Sequence, residues 1–245
     1  MSFKSEEFPR YAQVEAILAA EIAAGELACG AQLPPEDRLT ERFGVSRTTV
    51  RKAIENLIAR GLVEIRRGKG TFVSEPKITQ ELTELRGFAE DMVLIGRHPT
   101  ARLLFKEIVA ASKDVAANLE LPQGAQVWRI ERVRLGDGVP MSFDETYLPL
   151  DIGDKIVAND LEAEPIFDLL EGKYGLPLVE ARYQLEAVTA SAHVAAALNV
   201  DVGSAIFLIE RTCYVELNRP VDYEKLFYRG DLIRFSTRLS RHSRV

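Results

Sequence analysis

The chain has 245 residues, of which 47% are hydrophobic, and this length is enough for two domains that each bury a core. No stretch approaches the roughly 20 apolar residues that span a bilayer, and the N-terminal residues lack the apolar core of a secretory signal. Two separate cysteines and three scattered histidines argue against a disulfide framework or a metal site, so we expect a cytoplasmic protein without metal or cofactor.

The net charge of −6 is unevenly distributed along the chain. Residues 36–73 carry nine basic and five acidic side chains, whereas residues 76–245 carry twenty basic and twenty-six acidic ones. A locally basic module within an acidic chain is typical of a protein that binds nucleic acid over a short footprint.

The basic module has a recognisable order of elements. Gly25 ends a first amphipathic helix, and Gly44 opens a tight turn after a second. Ser46 is a strong N-cap for a third helix, which has a regular apolar face and ends at Gly61. The predicted elements are helices at 11–24, 36–43 and 47–60, then strands at 62–66 and 71–73 around a Gly-Lys-Gly turn. This order predicts a winged helix-turn-helix within a domain of residues 1–75.

The start of the third helix carries the residues that a DNA-recognition helix needs. A helix N-terminus attracts phosphate, hydroxyl groups reach the backbone, and arginine pairs with guanine in the major groove. For the helix alone, a merely solvated basic face is an equal alternative, but the ordered combination with a basic hairpin favours DNA binding. The candidate residues are Ser46, Arg47, Thr48, Thr49, Arg51 and Lys52 on the helix, and Lys69, Gly70 and Thr71 on the hairpin.

The stretch LPPEDRLTERFGVSRTTVRKAIENLIARGLVEIRRGKGTFV resembles the DNA-binding domain of GntR-family bacterial transcription regulators, over residues 10–73. The resemblance implies that Arg38, after the Leu-Pro-x-Glu motif, contacts DNA. It assigns the same role to the Arg-Thr-Thr-x-Arg series that begins at Arg47, and to Gly70 in the wing. Pro35 stands where Ser is usual in that family.

The segment Ser74-Glu-Pro-Lys77 is polar with a proline, and residues 76–80 are predicted to be a linker to a second domain at 81–245. That domain is expected to begin with a helix at 81–96 and a strand at 101–110. An internal repeat follows, in which Ser112-x-x-Val-Ala-Ala-x-Leu recurs 79 residues later, and Ile130-Glu-Arg recurs as Ile209-Glu-Arg. Two copies of helix, strand, turn and returning strand predict an antiparallel sheet packed with helices, giving an α+β fold. The two turns are expected at 136–138 and 218–220.

Strand alternation places Trp128, Ile130, Arg132 and Arg134 on one face of this sheet. A buried arginine needs an anionic partner, so the pair is a candidate anion site. Glu145 on the returning strand could orient these arginines or accept hydroxyl groups of a ligand. From the residues alone, exposed arginines or internal ion pairs remain equally good interpretations.

The stretches ERVRLGDGVPMSFDETYLP and IERTCYVELNRPVDYEKLFYRGDLIRF resemble the UTRA effector-binding domain of the HutC subfamily, whose fold is similar to chorismate lyase. Ala89 and Pro165 stand where that family often has hydroxyl side chains, which argues against a phosphorylated amino sugar. The effector-binding residues that the resemblance implies are Phe88, Ala89, Arg132, Arg134, Glu145, Asp222 and Tyr228.

These observations predict a transcriptional repressor that binds near-palindromic operator DNA as a homodimer and responds to a small anionic metabolite. The alternatives are an enzyme with a lyase-like second domain and a constitutive DNA-binding dimer without an effector. The sequence has no nucleophile with a histidine partner, no metal-ligand cluster and no phosphate loop, which disfavours an enzyme.

Overall fold

A computed structural model describes residues 8–66, 68–74 and 77–240, and the chain divides into the units Met1–Lys77 and Ile78–Val245. The linker predicted at 76–80 is therefore too long, because Ile78 already begins a strand of the second unit. Residue 75 and residue 76, the first of the predicted linker, lie outside the described residues, as does Arg67 in the predicted wing. In the described part of the chain, no helix is long and apolar enough to cross a bilayer.

The first unit is three helices followed by a two-stranded hairpin. Its elements are α1 (Arg10–Ala23), α2 (Glu36–Phe43), α3 (Arg47–Ala59), β1 (Val63–Arg66) and β2 (Gly70–Val73). Gly44 ends α2 with a left-handed φ of 62°, and the Ser46 side chain caps α3 by accepting a 3.2 Å bond from the Thr49 amide. Leu18, Leu39, Val50 and Leu57 meet in a core that excludes water. The predicted winged helix-turn-helix is confirmed.

The second unit contains a six-stranded antiparallel sheet, a two-stranded sheet and short helices. Its strands are β3 (Ile78–Glu81), β4 (Pro99–Ala110), β5 (Gln126–Gly136), β6 (Val139–Pro149), β7 (Glu180–Thr189), β8 (Ala205–Val215), β9 (Arg219–Arg229) and β10 (Ile233–Ser236). Its helices are α4 (Phe88–Leu94), α5 (Lys113–Asn118), α6 (Leu150–Ile156), α7 (Ile166–Asp168), which continues as a π-helical turn (Leu169–Lys173), and α8 (Ala192–Leu198). The sheet order is β4-β5-β6-β9-β8-β7, and β10 pairs in parallel with β3.

The sequence repeat maps onto two halves of this sheet, which meet where β6 pairs with β9. Each half is a capped helix followed by a hairpin, so Arg132 lies opposite Asp144 in one half as Arg211 lies opposite Glu224 in the other. The second hairpin turns two residues earlier than predicted, at residues 216–218. Leu217 and Asn218 hold the left-handed angles of the turn, while residue 219 already pairs in β9.

The helix predicted at 81–96 is shorter than expected and begins only at Phe88. Residues 78–81 are instead the strand β3, in which Ile78 and Gln80 are buried in alternation. The pairing partner of β3 is β10, about 150 residues away in sequence, so local periodicity could not reveal it.

Gly153 in α6 offers a test of how α6 packs on the sheet. A Cβ at this position would clash with Cβ, Cγ and Cδ1 of Trp128, whose indole also donates a 2.7 Å bond to Asp154. We expect Gly153→Ala to lower the free energy of unfolding by about 1–3 kcal/mol, measured by urea denaturation with the fluorescence of Trp128.

Gly172 provides the matched control, because no atom lies within 4 Å of a Cβ built there and its φ is not left-handed. Gly172→Ala should leave stability unchanged or raise it slightly, since alanine restricts the unfolded chain. Equal denaturation midpoints for the two variants would contradict the proposed packing of α6.

Candidate functional site

The exposed start of α3 forms a cluster of hydroxyl groups. The Ser46 hydroxyl lies 2.8 Å from that of Thr48 and 2.9 Å from that of Thr49. These predicted DNA-binding residues are thus brought together at the positive end of a 13-residue helix, where their hydroxyl groups can donate to an anion.

The arginines on this face are held by two acidic residues at the start of α2. Arg51 Nε donates to both carboxylate oxygens of Glu36, at 2.9 and 3.1 Å, and Arg47 lies 2.9 Å from Asp37. Each of these side chains is well exposed, so the pairs contribute little to stability and can exchange for phosphate. The two predicted basic residues beside them pair more loosely at 3.6 Å, Arg38 with Glu41 and Lys52 with Glu55.

The hairpin is braced by a residue that the sequence did not single out. Gln32 Nε2 donates a 2.8 Å bond to the Lys69 carbonyl, and the Leu33 amide donates to the Thr71 carbonyl at 2.8 Å. Gly70 has a φ of 119°, and a Cβ there would lie 2.5 Å from Gln32 Nε2. Glycine is therefore required for this turn, which leaves the side chain of Lys69 exposed.

A layer of charged side chains is buried on one face of the six-stranded sheet. Its six members are all at most 9% exposed. We call them the charged layer: Arg132, Arg134, Asp144, Arg211, Asp222 and Glu224. The prediction that Arg132 and Arg134 share a face holds, and the alternative that they are exposed at a strand end is wrong.

Two arginines of the charged layer have carboxylate partners. Arg134 Nε donates to Asp144 at 2.9 Å, and Ser142 donates to the other oxygen of Asp144 at 2.8 Å. Arg211 Nε donates to Glu224 at 2.7 Å, and its Nη2 donates to the same oxygen. These pairs satisfy charges that burial would otherwise make very costly.

Arg132 is differently placed, although it is fully buried. Its Nη1 donates a long 3.5 Å bond to the Leu161 carbonyl, while its Nε and Nη2 have no hydrogen-bond partner among the described residues. Burial, and then the charge of Arg134, lower the pKa of Arg132 to about 9. The charged layer therefore contains one guanidinium that lacks a direct counter-ion.

Two adjoining cavities lie beside the charged layer, and we call them the Arg134 cavities. Both have Phe88, Ala89, Arg134 and Pro165 in their walls; the larger has a volume of about 80 Å³, and Arg211 and Glu224 line the smaller. The guanidinium of Arg134 also lies 5.8 Å from the centre of the Phe88 ring. The structure thus brings together Phe88, Ala89 and Arg134, as the sequence predicted.

The other predicted effector residues are placed differently. Tyr228 is buried and lines a separate cavity with Arg211 and Gln80. Asp222 is fully buried and accepts a 3.2 Å bond from the Cys213 amide, and neither it nor Arg132 is in the walls of the Arg134 cavities.

The expectation that Glu145 orients Arg132 and Arg134 is wrong. Glu145 pairs in register with Glu131 and lies on the opposite face, where it accepts bonds from Arg129 at 3.1 Å and Tyr147 at 3.2 Å. Asp144 takes the expected role, because a displacement of one residue along a strand changes the face. Asp144, Arg211 and Glu224 are thus the residues that were missed, although the repeat of Ile-Glu-Arg did point to Arg211.

Among the residues that the structure describes, two groups of side chains have donor atoms within 4.8 Å of one another, the spacing that a metal ion requires. In the group of Glu131, Glu145 and His193, Arg129 already bridges the two carboxylates. In the group of Cys213, Asp222 and Glu224, Arg211 occupies Glu224. Each group therefore has an internal cation that would compete with a metal.

An exposed basic helix with a braced wing, followed by a separate sheet unit with a buried charged layer, defines a two-unit DNA-binding transcription regulator. Comparison with known proteins agrees: the model for bacterial regulatory proteins of the gntR family matches residues 10–73, and that for the UTRA domain matches residues 95–234. The chain belongs to the GntR family, and to its HutC subfamily.

Relatives and solved structures extend this agreement over the whole chain. The transcriptional repressor NagR of Bacillus subtilis is 33% identical over 95% of each chain, and the regulator YurK of the same organism is 32% identical over 89% of this chain and 90% of that one. The crystal structure of PhnF from Mycobacterium smegmatis is similar with a TM-score of 0.65 and 28% identity, over 94% of this chain and all of that one. The family and these relatives are transcription regulators and not enzymes.

The buried Asp222 predicts a pH dependence of stability. Burial, reinforced by the negative charge of Glu224, raises the pKa of Asp222 from 3.8 to about 7. Between these values the folded chain binds the proton and the unfolded chain does not, so this group makes the free energy of unfolding fall as pH rises through the window. Asp222→Asn removes this dependence and should stabilise the variant relative to the natural chain by at least about 1 kcal/mol more at pH 8 than at pH 5.

Urea denaturation at the two pH values measures this difference. The exposed Asp201→Asn variant controls for the loss of one negative charge. An advantage of Asp222→Asn that is the same at pH 5 and pH 8 would show that Asp222 is ionised in the folded chain throughout.

Proposed function

We propose that the protein is a transcriptional repressor. When a small anionic metabolite binds its second unit, the protein dissociates from operator DNA or binds it differently. The observation that carries this proposal is the buried charged layer, in which Arg132 lacks a direct counter-ion beside cavities lined by Arg134. A basic, exposed α3 provides the DNA-binding end. Bacterial operator DNA is cytoplasmic, and we place the protein there.

On the DNA side, α3 enters the major groove with its N-terminal turn against the bases and backbone. Arg47 and Arg51 exchange their exposed carboxylate partners for phosphate or guanine, and Glu36 aligns Arg51 until it does so. The hydroxyl cluster at Ser46 and the wing at Lys69–Thr71 donate to phosphates on either side. Arg38 and Lys52 add positive charge at the rim of this surface.

On the effector side, the metabolite enters the Arg134 cavities and pairs with the arginines of the charged layer. Two copies of the chain form a homodimer, so a near-palindromic operator matches the twofold symmetry of the protein. The metabolite favours a dimer geometry that no longer fits two successive half-sites. A switch from mostly bound to mostly free requires a differential affinity of about 5.5 kcal/mol between the two geometries.

A constitutive DNA-binding dimer is the competing function. It predicts that no compound in a thermal-shift screen of sugar phosphates, carboxylates, amino-acid catabolites and fatty acids stabilises the chain. Operator binding would then be tight and insensitive to every compound. The ligand-responsive function predicts at least one stabilising compound that also weakens operator binding.

Arg51→Ala should weaken binding to DNA selected by the chain from a random library by about 1–3 kcal/mol, the loss expected for one base contact. Fluorescence anisotropy on the selected duplex measures the effect. Lys113→Ala removes an equally exposed positive charge from the second unit and should bind as the natural chain does. Equal losses in the two variants would indicate non-specific electrostatics in place of recognition by α3.

Arg134→Lys should separate the two functions, because lysine keeps a positive charge beside Asp144 but cannot form the paired bonds of a guanidinium. We expect operator affinity within about twofold of the natural chain, and at least a tenfold higher concentration of any stabilising compound for release, about 1.4 kcal/mol. Unchanged release by that compound would place the effector elsewhere.

A further inference from the structure

Arg132 and Arg211 occupy equivalent positions in the two repeats, but the hydrogen bonds of their guanidinium groups differ. The difference lies on the side-on edge, which is the side of the guanidinium formed by Nε and Nη2. In Arg211 both nitrogens donate to the carboxylate of Glu224. In Arg132 the same two nitrogens are buried and have no hydrogen-bond partner within the described part of the chain. The second half of the sheet therefore completes with its own carboxylate an arrangement that the first half leaves open.

The cause lies on the neighbouring strand. Asp144 lies opposite Arg132 in register, as Glu224 lies opposite Arg211, but its side chain is one methylene shorter. Both of its oxygens are already used, one by Arg134 and the other by Ser142. The residue that would complete the first half is thus engaged by a different arginine.

The charges of the layer show how much negative charge is missing beside Arg132. Arg134 is compensated by Asp144 and Arg211 by Glu224, so Arg132 is the cation of these three without a direct counter-ion. Asp222, the remaining acid of the charged layer, interacts chiefly with Glu224 and Arg211. A buried guanidinium without a partner anion destabilises the fold, and one negative charge would compensate that of Arg132.

Resting on the function proposed above, we propose that the side-on edge of Arg132 binds a carboxylate of the effector, so that the effector is a carboxylic acid. A carboxylate is planar and singly charged, and it would take on Arg132 the place that Glu224 has on Arg211. A phosphate monoester carries a charge of about −1.5 to −2 near pH 7 and has three terminal oxygens to satisfy. In the walls of the larger Arg134 cavity, only Arg134 and Thr100 have side-chain donors, and the carboxylates of Glu162 and Glu164 disfavour a doubly charged anion more than a singly charged one.

The route to Arg132 passes the segment that begins at Leu161. The Leu161 carbonyl accepts the long bond from Arg132 Nη1, and the next four residues, 162–165, line the larger Arg134 cavity. A carboxylate that enters from this cavity reaches Arg132 when this segment moves aside. Binding at Arg132 is thereby linked to a displacement of the cavity wall.

The test is the melting temperature of the full chain with acetate, inorganic phosphate or chloride at equal ionic strength, up to about 100 mM. Acetate should raise the melting temperature saturably by about 2 °C or more above chloride, and phosphate should not. Arg132→Met should abolish the acetate effect while the chain stays folded, because an apolar side chain of similar size replaces a cation without a counter-ion. Arg102→Met, an exposed arginine on β4, is the control and should keep the effect.

Arg132→Lys keeps the charge but not the side-on edge, and it carries the test if the methionine variant does not fold. The acetate concentration needed for the same rise in melting temperature should be at least tenfold higher in this variant. A larger Arg132-dependent effect of phosphate, or no Arg132-dependent effect of acetate, overturns the carboxylate assignment. Release of operator by another compound would still stand in that case, so the two failures are distinguishable.

Discussion

The second unit is organised around guanidinium groups that are buried opposite carboxylates on one face of its sheet. Arg211 with Glu224 and Arg134 with Asp144 are each almost completely removed from water. Such pairs add little net stability compared with apolar residues of the same volume, because desolvation offsets most of their attraction. Their presence beside the Arg134 cavities is better explained by binding than by folding, and the function that we propose uses them in this way.

Duplication supplied this arrangement and also its asymmetry. Each half of the sheet has an arginine on one strand and an acid opposite it on the next strand. These pairs are Arg132 with Asp144 and Arg211 with Glu224. The first half additionally has Arg134 where the second has the neutral Cys213. Arg134 donates to Asp144, and the Nε and Nη2 of Arg132 are left without a partner among the described residues. One half is therefore closed as a structural ion pair, and we propose that the other half binds the ligand.

The sequence predicted those elements whose signals are local. The Gly44 turn, the Ser46 cap and the apolar face of α3 define the winged helix within a residue or two, and the 79-residue repeat predicted both hairpins. The strand β3 was missed because its partner β10 is distant in sequence. Glu145 was chosen over Asp144 because strand register depends on pairing, and an error of one residue exchanges the two faces. The side-on edge of Arg132 is open because Asp144 binds Arg134, and this preference depends on tertiary packing that the sequence does not reveal.

In the function that we propose, binding in the second unit and binding of operator DNA are thermodynamically coupled. Reciprocity requires that the metabolite lowers operator affinity by the same factor by which operator DNA lowers affinity for the metabolite. Isothermal titration of a stabilising metabolite into the free chain and into the chain saturated with selected duplex measures this directly. Coupling predicts weaker binding to the DNA-bound chain, by a factor that matches the shift in operator affinity. Equal affinity for the free and DNA-bound chains would contradict it.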